Sequence, residues 1–290
     1  MGYSNRMKQA AENRLYYKIN QSEQGVNMSV QSDSVSIILI HGLAASLSDW
    51  NDLIPDLNQA GYKSFALDLP GHGNSSSSGD KNQFTSEYVF QSFCDWVDML
   101  ALQPPLILVG HSLGGYLAIR YCLLHPERIK ALVLCDPFYT LKQLPFLLNV
   151  AYKYSIVDTS LIGFFPEWLI RLMVDLASFS IRNGFELSSS VRQQTANDYK
   201  RARPEIYNIF NTVQDLSPVL SSITQPTLIL WGAKDKTLGV FSFEKMGEKI
   251  PGAIGVAIAG AGHVPHQSHS IEFNRYVLEF IDRVIRTQPG

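Results

Sequence analysis

The stretch Leu106-Ile-Leu-Val-Gly-His-Ser-Leu-Gly-Gly-Tyr116 decides the fold. It joins a short apolar run to a segment of helical period through Gly110-His-Ser-Leu-Gly114, which is a G-x-S-x-G pattern. A serine on such a sharp strand-to-helix turn exposes its hydroxyl above the sheet, and the glycines let strand and helix approach closely. The helix N-terminus also favours developing negative charge. The sequence therefore predicts Ser112 as a nucleophile.

Short apolar runs alternate with longer helical segments on both sides of this stretch, which is typical of a parallel sheet covered by helices on both faces. A strand buried on both faces is apolar throughout. Ahead of these runs, two weaker segments flank a Ser-Glu-Gln-Gly turn and predict an antiparallel hairpin at one edge. The result is an α/β fold with a mostly parallel eight-stranded sheet, whose predicted strands are Leu15–Ile19, Val26–Val30, Ser36–Ile40, Ser64–Leu67, Leu106–Val109, Ala131–Leu134, Thr227–Trp231 and Ile254–Ile258.

Helices are predicted between these strands at Trp50–Gln59, Ser86–Leu102, Leu113–Leu124, Phe241–Lys249 and Ile271–Arg286. Residues 138–215, however, separate the sixth and seventh strands by far more than one crossover helix requires. This insertion is rich in aromatic residues, and its helical periods are Leu141–Tyr154, Leu161–Arg182 and Ser188–Phe210, interrupted at Pro145, Pro166 and Pro204. We expect a helical cap over a core domain of residues 1–137 and 216–290.

A cap with an apolar underside would place a substrate pocket between itself and the core, because ligand pockets favour domain interfaces and apolar walls. Most aromatic residues of the insertion should pack the cap onto the core. Some should line the cavity. The candidates for substrate binding are Phe138, Tyr139, Phe164 and Trp168.

A serine hydroxyl needs a base and an orienting carboxylate to react at neutral pH. Among seven histidines, His263 is favoured because it lies in a glycine-flanked loop after the last strand, with His266 and His269 as alternatives. Asp235 follows a strand end, where open α/β sheets place their active sites. Asp136 also follows a strand end, but Asp235 is preferred because nucleophile, acid and base then run in the chain order expected of this fold.

Several motifs together identify the chain, from about residue 15 to 285, as a member of the α/β-hydrolase superfamily. His41-Gly-Leu-Ala-Ala45, followed by Trp50, resembles the family's oxyanion-hole turn, and Asp68-Leu-Pro-Gly-His-Gly-Asn74 resembles its next conserved loop. The resemblance implies that the backbone N–H groups of Leu43 and Leu113 form the oxyanion hole. His41 and Asp68 should fix loop geometry through hydrogen bonds. The sequence departs from the family after the histidine motif, where Ser268 and Ser270 replace the common Glu and Pro.

Within this family, aspartate nucleophiles serve dehalogenases and epoxide hydrolases, so Ser112 favours hydrolysis of a small or medium ester, thioester or lactone. A second reading is carbon–carbon bond hydrolysis of a dienoic ring-cleavage product. Such a substrate carries carboxylates, for which the insertion offers Arg171, Arg182, Arg192, Arg201 and Arg203. A third reading is a weakly catalytic ligand receptor of the same fold.

Composition restricts the partners. The 24 basic and 26 acidic residues give a net charge of −2, which argues against a nucleic-acid partner. Neither metal-ligand spacing nor a dinucleotide-binding loop is present, so we expect no cofactor and a small-molecule substrate. Cys94, Cys122 and Cys135 sit among apolar residues and read as core thiols. Without a secretory signal or a long apolar span, the expected location is the cytoplasm.

Overall fold

The computed structural model describes residues 15–21, 35–76, 84–153, 166, 168–169, 171–172, 179–180, 184–185 and 187–286. Seven strands of this part form one sheet in the order β1-β3-β2-β4-β5-β8-β9. All neighbouring pairs are parallel except β1 with β3. The strands are β1 Tyr17–Asn20, β2 Ser36–Ile40, β3 Lys63–Leu67, β4 Leu106–His111, β5 Ile129–Cys135, β8 Thr227–Gly232 and β9 Ile254–Ile258.

The α/β fold is confirmed, with one difference in the strand count. The sheet has seven strands rather than eight within the described residues, because the predicted strand at residues 26–30 lies outside them. The insertion accordingly follows the fifth described strand, β5, and not a sixth. Within the described residues β1 lies at the edge of the sheet, where Tyr17 pairs with Leu67 and Asn20 with Ser64 of β3. The antiparallel hairpin predicted at this edge stays a prediction, because its second strand lies outside the described residues.

The helices of the structure are α1 Leu53–Gln59, α2 Ser86–Met99, α3 Leu113–Leu124, α4 Phe146–Lys153, α5 Ser189–Arg201, α6 Phe241–Lys249, α7 Pro265–Ser268 and α8 Ser270–Arg286. The predicted helix Trp50–Gln59 is divided: a 3-10 helix at Leu47–Trp50 precedes α1. The Ser46 hydroxyl accepts the Ser48 N–H and caps that 3-10 helix.

Successive residues of the central strands point into two separate cores, because side chains alternate across a sheet. Leu108 and Leu134 pack in one core with α2 and α3, whereas Ile107 and Val133 pack in the other with Trp50, α1 and α8. These four strand residues are fully buried. Burial on both faces explains why β4 and β5 are apolar throughout rather than alternating.

Residues 138–215 supply 3-10 helices at Leu141–Gln143 and Pro204–Thr212, helices α4 and α5, and two short strands. Those strands, β6 Phe179–Ser180 and β7 Gly184–Phe185, pair antiparallel. The helical period predicted through Arg182 is therefore wrong at Phe179 and Ser180, whose backbone pairs with Phe185 and Gly184 as a strand. Hydrogen bonds between the two strands take the place of helical hydrogen bonds here.

No helix within the described residues is long and apolar enough to cross a membrane. Helix α8 is instead amphipathic: Phe273, Val277 and Ile281 are buried on one side, while Ile271 at its start is exposed. The four-residue spacing places the buried side chains on one helical face.

Candidate active site

The loops that follow β2, β4, β5, β8 and β9 meet at one edge of the sheet. Parallel register brings their ends level: Ile40 pairs with Gly110, His111 with Cys135, and Gly232 with Ile258. The carboxyl ends of parallel strands all lie at the same edge, which is where α/β folds bind ligands. Residues far apart in sequence are therefore brought close together in space.

Ser112 lies between β4 and α3 in a conformation that L-residues rarely adopt, with φ 48° and ψ −110°. Its backbone is fixed from both sides, because its N–H donates to Cys135 O (2.9 Å) and its carbonyl accepts the Tyr116 and Phe138 N–H groups (3.2 and 3.0 Å). A Cβ at Gly114 would overlap the carbonyl oxygen of Ile40. Only glycine permits this close approach of α3 to β2.

The backbone N–H groups of Leu43 and Leu113 flank Ser112. Leu113 is the first residue of α3, where an N–H has no acceptor within its own helix. Leu43 follows Gly42, whose Cβ, if present, would lie 3.4 Å from Ser112 Cβ. Within the described residues neither N–H donates a hydrogen bond. Two unused donors beside a serine hydroxyl suit a developing oxyanion.

His263 and Asp235 form a hydrogen-bonded pair, with His263 Nδ1 2.8 Å from Asp235 Oδ2. The other carboxylate oxygen accepts the N–H groups of Thr237 (2.7 Å) and Leu238 (3.1 Å). Burial alone would raise the pKa of Asp235, but His263 and these two N–H groups lower it below its ordinary value. Asp235 is thus held ionised.

Ser112 and His263 are not directly hydrogen-bonded to each other within the described residues. The link between their loops is His111, whose Nε2 lies 3.0 Å from the carbonyl oxygen of His263. The His111 and His263 ring centroids are 5.1 Å apart. A substrate-free serine and base often stand beyond hydrogen-bond distance and close it only in the reacting complex.

Asp136, the alternative acid, lies beside Asp235 rather than in its place. It is fully buried, and its Oδ1 accepts the Gly232 N–H (3.0 Å). Burial raises the pKa of Asp136 well above its usual range, and the charge of Asp235 raises it further. Because its pKa is raised, Asp136 is better suited to donate a hydrogen bond to the neighbouring Asp235 than to act as the counter-ion of His263.

The alternative histidines face other partners. His266 is buried, its Nδ1 lies 3.3 Å from Cys135 Sγ, and burial lowers its pKa to about 4. His269 Nδ1 lies 2.9 Å from Ser268 Oγ. Since neither hydrogen-bonds Asp235 in the described part of the chain, His263 is the histidine that the fold pairs with the acid.

The two predicted loop residues His41 and Asp68 do fix loop geometry. His41 Nε2 accepts the Leu69 N–H (2.9 Å). Asp68 accepts the N–H groups of Leu47 (2.7 Å) and Asn74 (2.8 Å). These bonds tie the turn after β2 to the loop after β3. Both predictions are confirmed.

The three cysteines are free, buried thiols, as predicted. Burial raises the pKa of Cys94 and of Cys122 to about 12, and raises that of Cys135 well above its usual range. A thiol with so high a pKa is not a nucleophile at neutral pH.

The sequence did not predict that Asp49 and His111 lie together beside the candidate site. Asp49 Oδ2 lies 3.1 Å from His111 Nδ1, and its Oδ1 accepts Gln267 Nε2 (2.9 Å). The only sequence signals for them were the position of Asp49 in the turn after β2 and that of His111 directly before the serine. Neither signal indicates that the two side chains meet across 62 positions.

Two clusters of described residues bring metal-ligating atoms within 4.8 Å of one another, namely Asp49 with His111 and His266, and Asp136 with Asp235 and His263. In each cluster one aspartate and one histidine already contact each other, Asp49 with His111 at 3.1 Å and Asp235 with His263 at 2.8 Å. The donor types would suit a divalent cation, but the contacts themselves are those of acid–histidine pairs.

The substrate-binding candidates lie in different surroundings. Phe138 is fully buried between the rings of Tyr116 and Phe210 and is joined to Ser112 through its N–H. Tyr139 donates its hydroxyl to Ser242 O (3.0 Å). Trp168 is 68% exposed, and Phe164 lies outside the described residues. Contact of any of them with a substrate stays a prediction.

The sequence pattern of the alpha/beta hydrolase fold family matches residues 35–270. A curated relative, the 2-hydroxy-6-oxononadienedioate/2-hydroxy-6-oxononatrienedioate hydrolase of Escherichia coli strain K12, is 24% identical over 273 residues, which is 86% of this chain and 87% of that protein. Among solved structures, a putative lipase from Acinetobacter baumannii AYE has a TM-score of 0.76 at 20% identity, with 99% of this chain and 98% of that chain covered.

A thermophilic esterase from Thermogutta terrifontis superposes with a TM-score of 0.74 at 19% identity, with 94% of each chain covered. At 20% and 19% identity, the lipase and esterase structures support only the assignment of the fold. The sequence match spans the chain from before β2 to the start of α8, and it includes the elbow around Ser112 and both members of the Asp235–His263 pair. The chain belongs to the alpha/beta hydrolase fold family.

Proposed function

We propose that the protein is a serine hydrolase that cleaves a small-to-medium ester, thioester or lactone through an acyl-enzyme on Ser112. The observation that carries the proposal is the site geometry: Ser112 lies in a strained strand-to-helix turn, and at the same sheet edge His263 Nδ1 is 2.8 Å from Asp235 Oδ2. Together with N–H donors for the oxyanion, a serine and a His–Asp pair are the groups that acyl transfer requires. Ser112, Asp235 and His263 follow three different strands, β4, β8 and β9.

In this mechanism the Ser112 oxygen bonds to the carbonyl carbon while its proton passes to His263 Nε2. Asp235 holds His263 in the tautomer that carries a proton on Nδ1, and it stabilises the imidazolium that forms. The Leu43 and Leu113 N–H groups receive the oxyanion, and each such donor is typically worth about 3 to 4 kcal/mol. The leaving group then departs with the proton from His263.

Deacylation repeats the sequence with water. His263 takes one proton from water as the hydroxide oxygen bonds to the acyl carbon, and it returns that proton to Ser112 as the ester bond breaks. The products are an acid and free enzyme. Each step uses only the residues of the site and one water molecule.

Residues 138–215 are proposed as the cap over this site. The Phe138 N–H donates to Ser112 O (3.0 Å), and the Arg203 N–H donates to Gly71 O (3.0 Å). The insertion thus contacts the edge of the sheet that carries the catalytic candidates. An apolar substrate portion between the two would explain why the insertion is rich in aromatic residues.

The test is an initial-rate panel of p-nitrophenyl esters, from acetate to long acyl chains, with Ser112→Ala as the matched control. We expect serine-dependent turnover with an optimum chain length set by the space under the cap, and a loss of at least about 10³-fold in kcat for Ser112→Ala. Hydrolysis that survives Ser112→Ala would overturn the assignment of the nucleophile. Failure of a fluorophosphonate to label Ser112 would favour a ligand receptor.

A second candidate is the hydrolysis of a carbon–carbon bond in a vinylogous diketone, with water supplying a hydroxyl to the acyl fragment and a proton to the carbon fragment. The observation that favours it is the E. coli relative, whose name gives a dienedioate substrate. Within the insertion, Arg171 donates to Gln193 (2.8 Å), and Arg192 is buried and donates to Leu187 O. A carboxylate-bearing substrate would have to compete with these bonds.

This candidate is tested by following the absorbance of a synthetic ring-cleavage dienoate with wild-type enzyme and Ser112→Ala. Serine-dependent loss of the dienoate absorbance, at a kcat/KM above that for every ester in the panel, would favour carbon–carbon hydrolysis. An absorbance that persists in the presence of enzyme that turns over esters would exclude it.

A further inference from the structure

A second buried acid–histidine pair, Asp49–His111, lies next to the proposed catalytic residues and takes no part in the mechanism above. Asp49 is 6% and His111 5% exposed, and Asp49 Oδ2 lies 3.1 Å from His111 Nδ1. Asp49 belongs to the 3-10 helix after β2, and His111 ends β4 immediately before Ser112. A buried pair of this kind needs each of its polar atoms satisfied.

The partners of His111 accept hydrogen bonds and cannot donate them. Its Nδ1 faces the Asp49 carboxylate, and its Nε2 faces the backbone carbonyl of His263 at 3.0 Å. Asp49 in turn receives the Gly42 N–H (3.3 Å) and Gln267 Nε2 (2.9 Å), both of which are donors. The His111 ring is therefore held between two acceptors, Asp49 Oδ2 and the carbonyl oxygen of His263.

The surroundings of Asp49 favour its ionised form. Burial would raise the pKa of Asp49, but His111 and His266 hold it well below its usual range. His266 packs against both members of the pair: its Nε2 lies 3.8 Å from Asp49 Oδ2, and its ring centroid lies 4.5 Å from that of His111. Burial lowers the pKa of His266 to about 4, so His266 is neutral at neutral pH.

Three connections of the pair reach parts of the chain that the proposed reaction uses. His111 Nε2 holds the backbone of His263, in a loop that contains Gly260 and Gly262. The oxyanion turn contacts both members of the pair, since the Gly42 N–H donates to Asp49 and a Cβ at Gly42 would lie 2.7 Å from His111 Nδ1. The nucleophile itself follows His111 in the chain. The Asp49–His111 pair thus connects the serine, the oxyanion donors and the base.

We infer that the Asp49–His111 pair is a positioning device for the reaction: His111 sets the distance between His263 and Ser112, and Asp49 fixes His111 and the oxyanion turn. The inference rests on the proposed function. Displacement of a reacting group by about 1 Å can cost roughly 100-fold in rate. Loss of the pair should therefore lower kcat and leave KM nearly unchanged.

The two amide substitutions of His111 separate the roles of its nitrogens. The Gln amide nitrogen reaches the position of Nε2 and can still donate to His263 O, whereas the Asn amide nitrogen reaches only the position of Nδ1, towards Asp49. We expect His111→Asn to lower kcat for the best p-nitrophenyl ester by roughly 10- to 100-fold, with KM within about twofold. His111→Gln should retain kcat within about fivefold of wild type.

A role confined to stability would lower the unfolding midpoint of both variants equally and would not distinguish their kcat values. Equal kcat for His111→Asn and His111→Gln, or wild-type kcat for His111→Asn, would overturn the inference. If His111→Asn does not fold, Asp49→Asn serves instead: a fall in kcat at unchanged KM supports the inference, and a wild-type kcat rejects it. Wild-type enzyme that neither labels with fluorophosphonate nor hydrolyses an ester would show that the proposed function itself has failed.

Discussion

At the residue scale, the site contains two neighbouring buried carboxyl groups whose pKa values are shifted in opposite directions. Asp235 accepts three hydrogen bonds, from His263, Thr237 and Leu238, and its pKa is lowered. Asp136 has one backbone donor, and burial raises its pKa. Two carboxyl groups this close repel each other when both are ionised. Asp235, which accepts more hydrogen bonds than Asp136, therefore ionises more readily.

This difference predicts unequal effects of two isosteric substitutions. Asp235→Asn should reduce kcat by about 10³- to 10⁴-fold, because the amide cannot stabilise an imidazolium and favours the wrong tautomer of His263. Asp136→Asn should change kcat by less than about tenfold, because an amide oxygen can still accept the Gly232 N–H and its nitrogen can donate to Asp235. The measurement is kcat for both variants on one ester. A larger loss for Asp136→Asn would exchange the two roles.

Asp198 on α5 is a buried carboxyl group whose ionisation destabilises the folded state. Burial raises its pKa to about 6, despite hydrogen bonds from Gln194 and Ser46. A folded-state pKa above the unfolded one means that the folded state binds the proton more tightly. Stability therefore falls as pH rises from about 4 to about 6 and stays lower above that window.

Replacing Asp198 by Asn removes this cost and keeps an acceptor oxygen for Gln194 and Ser46. The variant should be more stable than wild type by up to about 3 kcal/mol at pH 8, and by roughly half of that at pH 5. Urea unfolding at the two pH values measures the difference. A gain that is equal at both pH values, or no gain at pH 8, would contradict the assigned ionisation.

At the element scale, the His263 loop is seated on the end of β8 by close backbone packing. The N–H of Lys234 donates to Ala261 O (2.8 Å), and the N–H of Ala233 donates to Ile258 O (3.0 Å). A Cβ at Gly232 would overlap the carbonyl oxygens of Gly262 and Ala261. Neither oxygen is the end of a flexible side chain, so the backbone itself would have to move.

Gly232→Ala should therefore destabilise the fold by about 3 kcal/mol and lower activity, because the displaced loop carries His263. The matched control is Gly247→Ala in α6, where the nearest atom to the new Cβ is Ile229 Cδ1 at 4.0 Å. That control should leave activity unchanged and stabilise the helix by up to about 1 kcal/mol. Thermal unfolding and an ester assay of both variants provide the comparison, and wild-type behaviour of Gly232→Ala would refute the packing argument.

At the scale of the whole molecule, the sheet separates two cores that share the same strands. Ile107 and Leu108 are consecutive residues of β4 and are both fully buried, yet they belong to opposite cores. Ile19 of the edge strand β1, in contrast, is 52% exposed. The stability of the molecule thus depends on both faces of the central strands.

Ile107→Ala and Leu108→Ala should each cost about 2 to 5 kcal/mol in the free energy of unfolding, because either truncation leaves a cavity in a closely packed core. Ile19→Ala should cost less than about 1 kcal/mol, since that side chain is half exposed. Chemical denaturation of the three variants gives the comparison. A small cost for only one of the two buried substitutions would mean that one face of β4 is not a packed core.

The sequence by itself determined the parts of the protein that local physics controls. Continuous apolar runs predicted the first and last residues of the central strands to within two positions. Gly110–Gly114 predicted the elbow, because the steric demands of the turn lie within five residues. Asp235 was preferred to Asp136 because Ser112, Asp235 and His263 then follow the chain order expected of the fold. At Phe179, in contrast, the sequence pattern predicted a helix, whereas the structure has a strand paired with residues 184–185.

Only the tertiary structure decided which candidates meet. Asp136 and Asp235 both follow a strand end, and their different hydrogen-bond donors come from the folding of the loops around them. The Asp49–His111 pair joins positions 62 residues apart, and His111 reaches His263 across 152. Such contacts depend on the lateral order and register of the strands, which the hydrophobic pattern of any single segment does not encode.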